Sequence, residues 1–432
     1  MIKLNVTFFD HQPPLQQYQE RVTAVHARMQ QKLRQRLVQD MLGWLTLPDI
    51  APSQIDHYLK FGRRFRHNIE VLVVVGIGGS FLGIKACLDW WGGMFGYGTK
   101  IKTIFIGNSL GGRELADTLR FLKGKKYGIC VISKSGTTVE PLVALNLISK
   151  QLKTDHGIAF YQQHVVVVTT LDRGKLFTLA QQEHWSVFGI EPDVGGRFSF
   201  LAAVGLVPLA IVGVDLQLLL SGAARAKLDT ASSDLTINSA YQYAVARFWM
   251  YHQVHYRVEV MGVFDQSLTS FTMWWQQLYA ESEGKDGKGL LPLCCTFTRD
   301  LHSLEQFFQQ GSRQLLFQTI LEPFFSDQDV KVAVHEPVVD QIYQLPLVAV
   351  NTINRYVFDA IVKANQAAHI PTLVLTFHFR NRDLAYVFGY LVFWFMCSCA
   401  MSAQLLGVNA FNQPGVELYK SILRTKMKRD HR

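Results

Sequence analysis

Four hydroxyl side chains stand together in Ser133-Lys134-Ser135-Gly136-Thr137-Thr138, directly after the apolar run Ile129–Ile132 and before a helix-like segment. Such a loop presents hydroxyl donors together with the unpaired N–H groups of a helix start. The helix dipole adds partial positive charge, so the ligand it suits is a phosphate. A capping role for Thr137 or Thr138 would explain one hydroxyl, not four.

Gly76-Ile77-Gly78-Gly79-Ser80 also joins a strand-like run to a helix-like one. It matches part of a dinucleotide fingerprint, but the third glycine is not at the required spacing. No acidic residue ends a second strand about 20 residues on. A nicotinamide cofactor is therefore disfavoured, and a glycine turn that lets substrate approach the backbone is the alternative. In Val194-Gly195-Gly196-Arg197 two glycines precede an arginine that could point into a cleft or simply sit on the surface. Gln277, Glu281 and His302 lie in QLYAESEGKDGKG and DLHS, near glycine-rich turns, where a carboxylate and an imidazole can serve as acid and base. Lys420 follows the Asn412-Gln413-Pro414-Gly415 turn and reads by itself as a solvated helix residue.

These groups need elements to hold them. Short apolar runs begin near Glu70, Lys100, Tyr127 and His164, and again near Val258, Gln314, Val330 and Thr372. Apolar strands alternating with helices indicate parallel sheets covered on both faces, hence two α/β halves. Residues from about Gln12 to Trp44 read as helical, with Val22, Val25, Met29, Leu33, Leu37 and Leu42 mostly at three- and four-residue spacing. The stretch from about Ser221 to Tyr251 reads as a helical bridge between the halves. The expected division is an arm over 1–60, a first α/β domain over 61–214, a connection over 215–255, a second domain over 256–406 and a C-terminal segment over 407–432.

The 432 residues are 49% hydrophobic and 18% charged, which excludes a disordered chain and supplies a sizeable core. Thirteen prolines and 32 glycines exclude a collagenous polymer. The net charge of +9 favours acidic partners without choosing among nucleic acid, membrane surface and phosphorylated metabolites. Part of the excess sits in a basic tail with Arg424, Lys426, Lys428, Arg429 and Arg432. The six cysteines have neither zinc-site nor disulfide-framework spacing, and the N-terminus lacks a signal-like apolar stretch. A reduced, cytoplasmic protein is expected. The charge-free run from Leu384 to Val416 is long enough for a membrane span. Ser398, Ser402 and Gln404, the exit through Asn409, Asn412 and Gln413, and the lack of a second comparable span favour a buried central helix.

Taken together, VVGIGGSFLG, SKSGTTVEP, VGGRFSF, AESEGKDGKG with DLHS, and GVNAFNQPGVELYK closely resemble the glucose-6-phosphate isomerase family, especially its shorter bacterial form. With GWLTLP near Trp44, they run in family order from Gly43 to Lys420. VGGRFS and FNQPGVExxK are highly specific, whereas SKSGTT marks only the wider group of sugar-isomerase (SIS) domains. The resemblance implies two SIS-type α/β/α sandwich halves with a helical N-terminal arm and a helical tail. It implies a sugar phosphate substrate and aldose–ketose isomerisation through a cis-enediol, without metal or redox cofactor, nucleic acid or membrane.

Carried over by motif, Glu281 matches the base, His302 the ring-opening histidine and Lys420 the lysine at the ring oxygen. Arg197 matches the arginine that stabilises the enediolate, and Gln277 a sugar-contacting glutamine. Ser133, Ser135, Thr137 and Thr138 match the phosphate loop, and Gly79 and Ser80 the turn at the sugar. The resemblance also implies a homodimer in which His302 enters the neighbouring site. A relative acting on mannose 6-phosphate or another hexose phosphate is the runner-up. A non-catalytic sugar-phosphate sensor would be expected to lose acid/base residues that are present here. The stretches around His335 and around His378, Arg380 and Arg382 depart from the short-form pattern.

Overall fold

The computed structural model describes residues 2–7, 13–93, 95–323, 329–331, 349–377 and 383–429. Residues 335–348 and 378–382 of the atypical 335–383 region, among them His335, His378, Arg380 and Arg382, and the strand expected from Val330 beyond Lys331 therefore lie outside the described residues.

Among the described residues, ten strands form two sheets. They are β1 (Ile2–Thr7), β2 (Val71–Val75), β3 (Lys102–Ile106), β4 (Tyr127–Ile132), β5 (Val165–Thr169), β6 (Ser186–Gly189), β7 (Val258–Val263), β8 (Leu291–Thr296), β9 (Leu316–Leu321) and β10 (Thr372–Phe377). The first sheet has the order β3-β2-β4-β5-β6 and is wholly parallel. The second has the order β1-β10-β9-β7-β8, parallel except for β1. Both α/β halves are thus present. Every residue of β2, β4 and β5 is buried, as strands covered on both faces must be.

The sequence reading did not anticipate β1, β6 or β8. β1 pairs antiparallel with β10, so the N-terminal segment returns to the second domain before the helix Gln19–Gln35 begins. Its alternation of Ile2, Leu4 and Val6 with Lys3, Asn5 and Thr7 is a strand pattern only six residues long. The stretch expected to be helical from about Ser221 to Tyr251 holds two helices, Leu216–Asp229 and Ser239–His252. Asn238 ends the gap between them. Its side chain accepts from Tyr241 N (3.1 Å) and donates to the carbonyls of Thr230 (3.1 Å) and Ser232 (2.6 Å).

The charge-free run forms the helix Leu384–Leu406, in which every residue from Val387 to Ala403 is buried. It is long and apolar enough to cross a membrane, yet in this fold it is the central helix. It lies directly on Leu216–Asp229. A Cβ added at Gly222 would come within 1.9 Å of the Tyr386 carbonyl, and one at Gly389 equally close to the Leu219 carbonyl. The two backbones therefore touch through a pair of glycines. Trp394 stacks on Tyr243 (5.6 Å) and donates to Ser239 Oγ (3.0 Å), so its one polar atom is satisfied.

In each sheet the chain steps outward on both sides of a central pair, β2 and β4 in the first and β7 and β9 in the second. Such a reversal opens a crevice at the carboxyl ends of the strands. In the first sheet the loops Gly76–Ser80 and Ser133–Thr138 leave these ends. In the second, β7 is followed by Asp265, whose carboxylate accepts from Ser267 N (2.8 Å).

Candidate active site

Ser133 Oγ accepts from Gly136 N (3.1 Å), and Thr137 donates to Ser135 Oγ from both its amide (3.3 Å) and its hydroxyl (3.2 Å). Thr138 precedes the helix Val139–Gln163 in an extended conformation, and its hydroxyl does not cap that helix. Capping therefore does not account for these hydroxyls. The end of β5 supports the loop from below: Thr169 Oγ1 donates to the Ser133 carbonyl (2.7 Å) and Thr170 Oγ1 to that of Lys134 (2.9 Å). Lys134 Nζ donates to the carbonyls of Pro192 (2.9 Å) and Val194 (2.8 Å), tying this loop to the turn before Arg197.

The two domains meet at the glycine turn. A Cβ at Gly79 would lie 2.2 Å from the Gly196 carbonyl, and one at Gly78 would lie 2.7 Å from Gln277 Nε2. Gly78 also has a positive φ of 58°. Only glycine lets the turn approach the arginine loop and the second domain's helix together.

That helix is Thr269–Glu283. It buries Phe271, Trp274, Trp275, Leu278 and Tyr279 and presents Gln277 and Glu281, four residues apart, on another face. Gln277 Nε2 donates to Glu281 Oε2 (3.3 Å). Gln277 Oε1 is buried and has no hydrogen-bond partner among the described residues, which leaves an acceptor for a ligand hydroxyl. About a third of the Glu281 side chain (32%) remains accessible, whereas that of Arg197 is 2% accessible.

Arg197 spends all five of its N–H groups. Nε donates to Ser282 Oγ (2.8 Å). Nη1 donates to Glu281 Oε2 (3.3 Å) and Gln413 Oε1 (2.8 Å). Nη2 donates to the carbonyls of Ala410 and Asn412. Burial lowers its pKa from the usual guanidinium range and Glu281 raises it again. The surface alternative for Arg197 is thus set aside: its guanidinium is a fixed positive charge beside a carboxylate. Lys285, just beyond the helix, is brought down to about 8 by burial and by the charge of Arg197.

A profile of the family described as Phosphoglucose isomerase matches residues 60–289, more than half of the chain. The glucose-6-phosphate isomerase of Mycoplasma capricolum is 38% identical over 383 residues, covering 88% of each chain. The chain belongs to the phosphoglucose isomerase family. The glucose-6-phosphate isomerase of the Aster yellows witches'-broom phytoplasma is 37% identical over 427 residues, covering 97% of this chain and 98% of that one. The fold agrees with the crystal structure of a glucose-6-phosphate isomerase from Chlamydia trachomatis, with a TM-score of 0.81 at 19% identity over 99% of this chain and 88% of that one.

Set against the family motifs, the structure gathers Gly79, Arg197, Gln277 and Glu281 in one place. Two expected members stand apart from this hydrogen-bonded cluster. His302 is exposed at the start of the helix Leu301–Gln310. Lys420 lies on the largely exposed helix Glu417–Arg429, where it donates to Glu417 Oε1 (3.0 Å). Three residues the motif reading passed over belong to the cluster or its supports: Ser282, Gln413 and Lys134. Gln413 stands in the FNQPG segment, which reads as a turn and as part of a family motif, and nothing in its spacing signals a bond to a residue more than 200 positions away.

Proposed function

We propose that this member of the phosphoglucose isomerase family interconverts glucose 6-phosphate and fructose 6-phosphate, with Glu281 as the base. The observation that carries the assignment is the Glu281 carboxylate, held by Arg197 and Gln277 beside the glycine turn. The hydroxyl loop at the neighbouring strand end supplies the phosphate site. With the phosphate on Ser133, Ser135, Thr137 and Thr138, and the sugar along Gly79 and Ser80, the reacting carbons are oriented before chemistry begins.

Glu281 takes the proton from C2 of the open-chain aldose as the C2 electrons form the enediolate double bond. It then returns the proton to C1 while the proton of the C2 hydroxyl passes to O1, which gives the ketose. No electron leaves the substrate, so the step requires no redox cofactor. Arg197 stabilises the developing negative charge as a fixed, desolvated cation. His302 opens the ring and Lys420 assists at the ring oxygen.

His302 enters the site from a second copy of the chain. Its exposure supports this reading. So do Leu304 and Phe307 on the same helix and Leu291 and Leu293 on the edge strand β8, all of which are exposed apolar residues. The reaction belongs to a reducing, cytoplasmic setting, consistent with six free cysteines, five of them buried.

A coupled assay with fructose 6-phosphate in the presence of a chelator tests substrate, reaction and metal independence together. Glu281→Gln keeps shape and removes basicity, so exchange of the C2 proton with solvent collapses while substrate still binds. Exchange at the wild-type rate would rule Glu281 out.

A further inference from the structure

The charged residues just after Glu281 make a structure of their own. Lys285-Asp286-Gly287-Lys288 is a tight turn in which Lys288 N donates to the Lys285 carbonyl (2.9 Å) and the two lysines form an antiparallel bridge. Its central residues, Asp286 and Gly287, both have positive φ (54° and 68°), the pattern of a type I′ turn. The lysines therefore stand opposite each other, and each reaches the end of a different helix.

Lys285 Nζ donates to the carbonyls of Glu281 (2.6 Å) and Ser282 (2.8 Å). Both belong to the last turn of Thr269–Glu283, whose final carbonyls have no partner within the helix. Lys288 Nζ donates to the carbonyl of Leu406 (3.1 Å), the last residue of the central helix Leu384–Leu406. Just beyond Leu406 the chain reaches Ala410, Asn412 and Gln413, which grip Arg197. One helix end thus carries Glu281 and the other carries the cradle of Arg197. The turn spans the two, and each ammonium also meets the negative end of its helix dipole.

A second anchor fixes the same helix end. Glu283 is fully buried and paired with Arg247, which also binds Glu259 Oε2 (2.6 Å) and Ser402 Oγ (2.8 Å) and lies over the ring of Tyr279 (4.1 Å). Glu259 in turn accepts from Tyr243 OH (2.5 Å) and Thr319 Oγ1 (2.6 Å). Glu283 holds its turn against the core, while Lys285 holds the carbonyls on the side of the site.

We infer that the Lys285–Lys288 turn is a staple that sets the Glu281 carboxylate against Arg197, and that Lys285 and Lys288 are positioning residues for the isomerisation. The inference rests on the assignment of Glu281 as the base. Neither lysine touches the phosphate loop, so substrate affinity is not their task.

The test compares Lys285→Met, Lys288→Met, Lys285→Arg and Glu281→Gln as full-length proteins, with kcat, KM for fructose 6-phosphate and the thermal midpoint measured for each. Lys285→Met keeps the stem and removes the ammonium. Its kcat falls about 10- to 100-fold, the range expected when a reacting group is misplaced by roughly an ångström. KM stays near the wild-type value, and Lys285→Arg, which can still donate to both carbonyls, recovers most of the loss. Lys288→Met shows the same split through the other helix, and carries the test if Lys285→Met does not fold. Wild-type kcat in both methionine variants beside an inactive Glu281→Gln overturns the staple and leaves the base intact. A kcat loss that merely follows the thermal midpoint, unrescued by Lys285→Arg, overturns it as well. An active Glu281→Gln sinks the assignment of the base instead.

Discussion

Arg197 Nη1 stands 3.3 Å from Glu281 Oε2, and the same nitrogen donates to Gln413 Oε1 at 2.8 Å. The guanidinium has no N–H left over for an enediolate. In the proposed reaction it acts through its charge, or by exchanging one of these two bonds for the substrate.

Arg197→Lys separates charge from geometry. A lysine keeps the positive charge but cannot reproduce the planar fork that reaches Ser282, Glu281, Gln413 and two carbonyls. The expected outcome is a kcat about 100- to 1000-fold below wild type, with the phosphate affinity of the first domain retained. Steady-state kinetics beside a titration with inorganic phosphate checks both halves. An unchanged kcat would show that the enediolate does not depend on this cation.

Thr137→Val with Thr138→Val removes two hydroxyls that capping does not explain. Binding of the phosphorylated sugar should weaken by about 1.5–3 kcal/mol for each lost bond to a charged oxygen. A ligand of the same sugar skeleton without phosphate should lose much less. Equal losses for both ligands in calorimetry would count against the loop as the phosphate site.

Glu281→Gln and His302→Ala proteins, each inactive by itself, should recover part of the activity once their subunits exchange. In a mixed dimer one site receives an intact Glu281 and the partner's intact histidine. Activity is followed after mixing, and exchange is verified by mass spectrometry of differently tagged copies. Verified exchange with no recovery would mean that each site is built from one chain.

Stability at alkaline pH follows from the buried thiols. Burial pushes Cys397 and Cys399 up to about 12 from an ordinary 9.0. The unfolded chain therefore releases these protons at lower pH than the folded one. Their contribution is complete below pH 9 and is lost progressively as pH rises towards 12. Denaturant midpoints should fall across this window, and Cys397→Ala should flatten the slope even though its cavity lowers the curve as a whole. An unchanged slope in the variant would show that other groups control the alkaline limb.

The sequence by itself determined the strands buried on both faces, because a run such as VLVVV is compatible with little but a strand covered on both sides. It also determined the motif residues, because a hydroxyl-rich loop and a glycine turn leave their chemistry visible locally. The short edge strand Ile2–Thr7 and the break at Asn238 were missed, because six alternating residues or one capping side chain give little periodic signal. Only the tertiary structure decided which charges meet. Arg197 bonds Gln413 and Glu281 across separations of 216 and 84 residues, and Glu283 lies buried on Arg247 although it stands two residues from a partly accessible Glu281. A helix turns neighbouring side chains in different directions, and which direction faces core or cleft is settled by the elements packed around it. Lys285 and Lys288 read as solvated charges in a polar turn until two helix ends, more than 100 residues apart in the chain, are brought to either side of them.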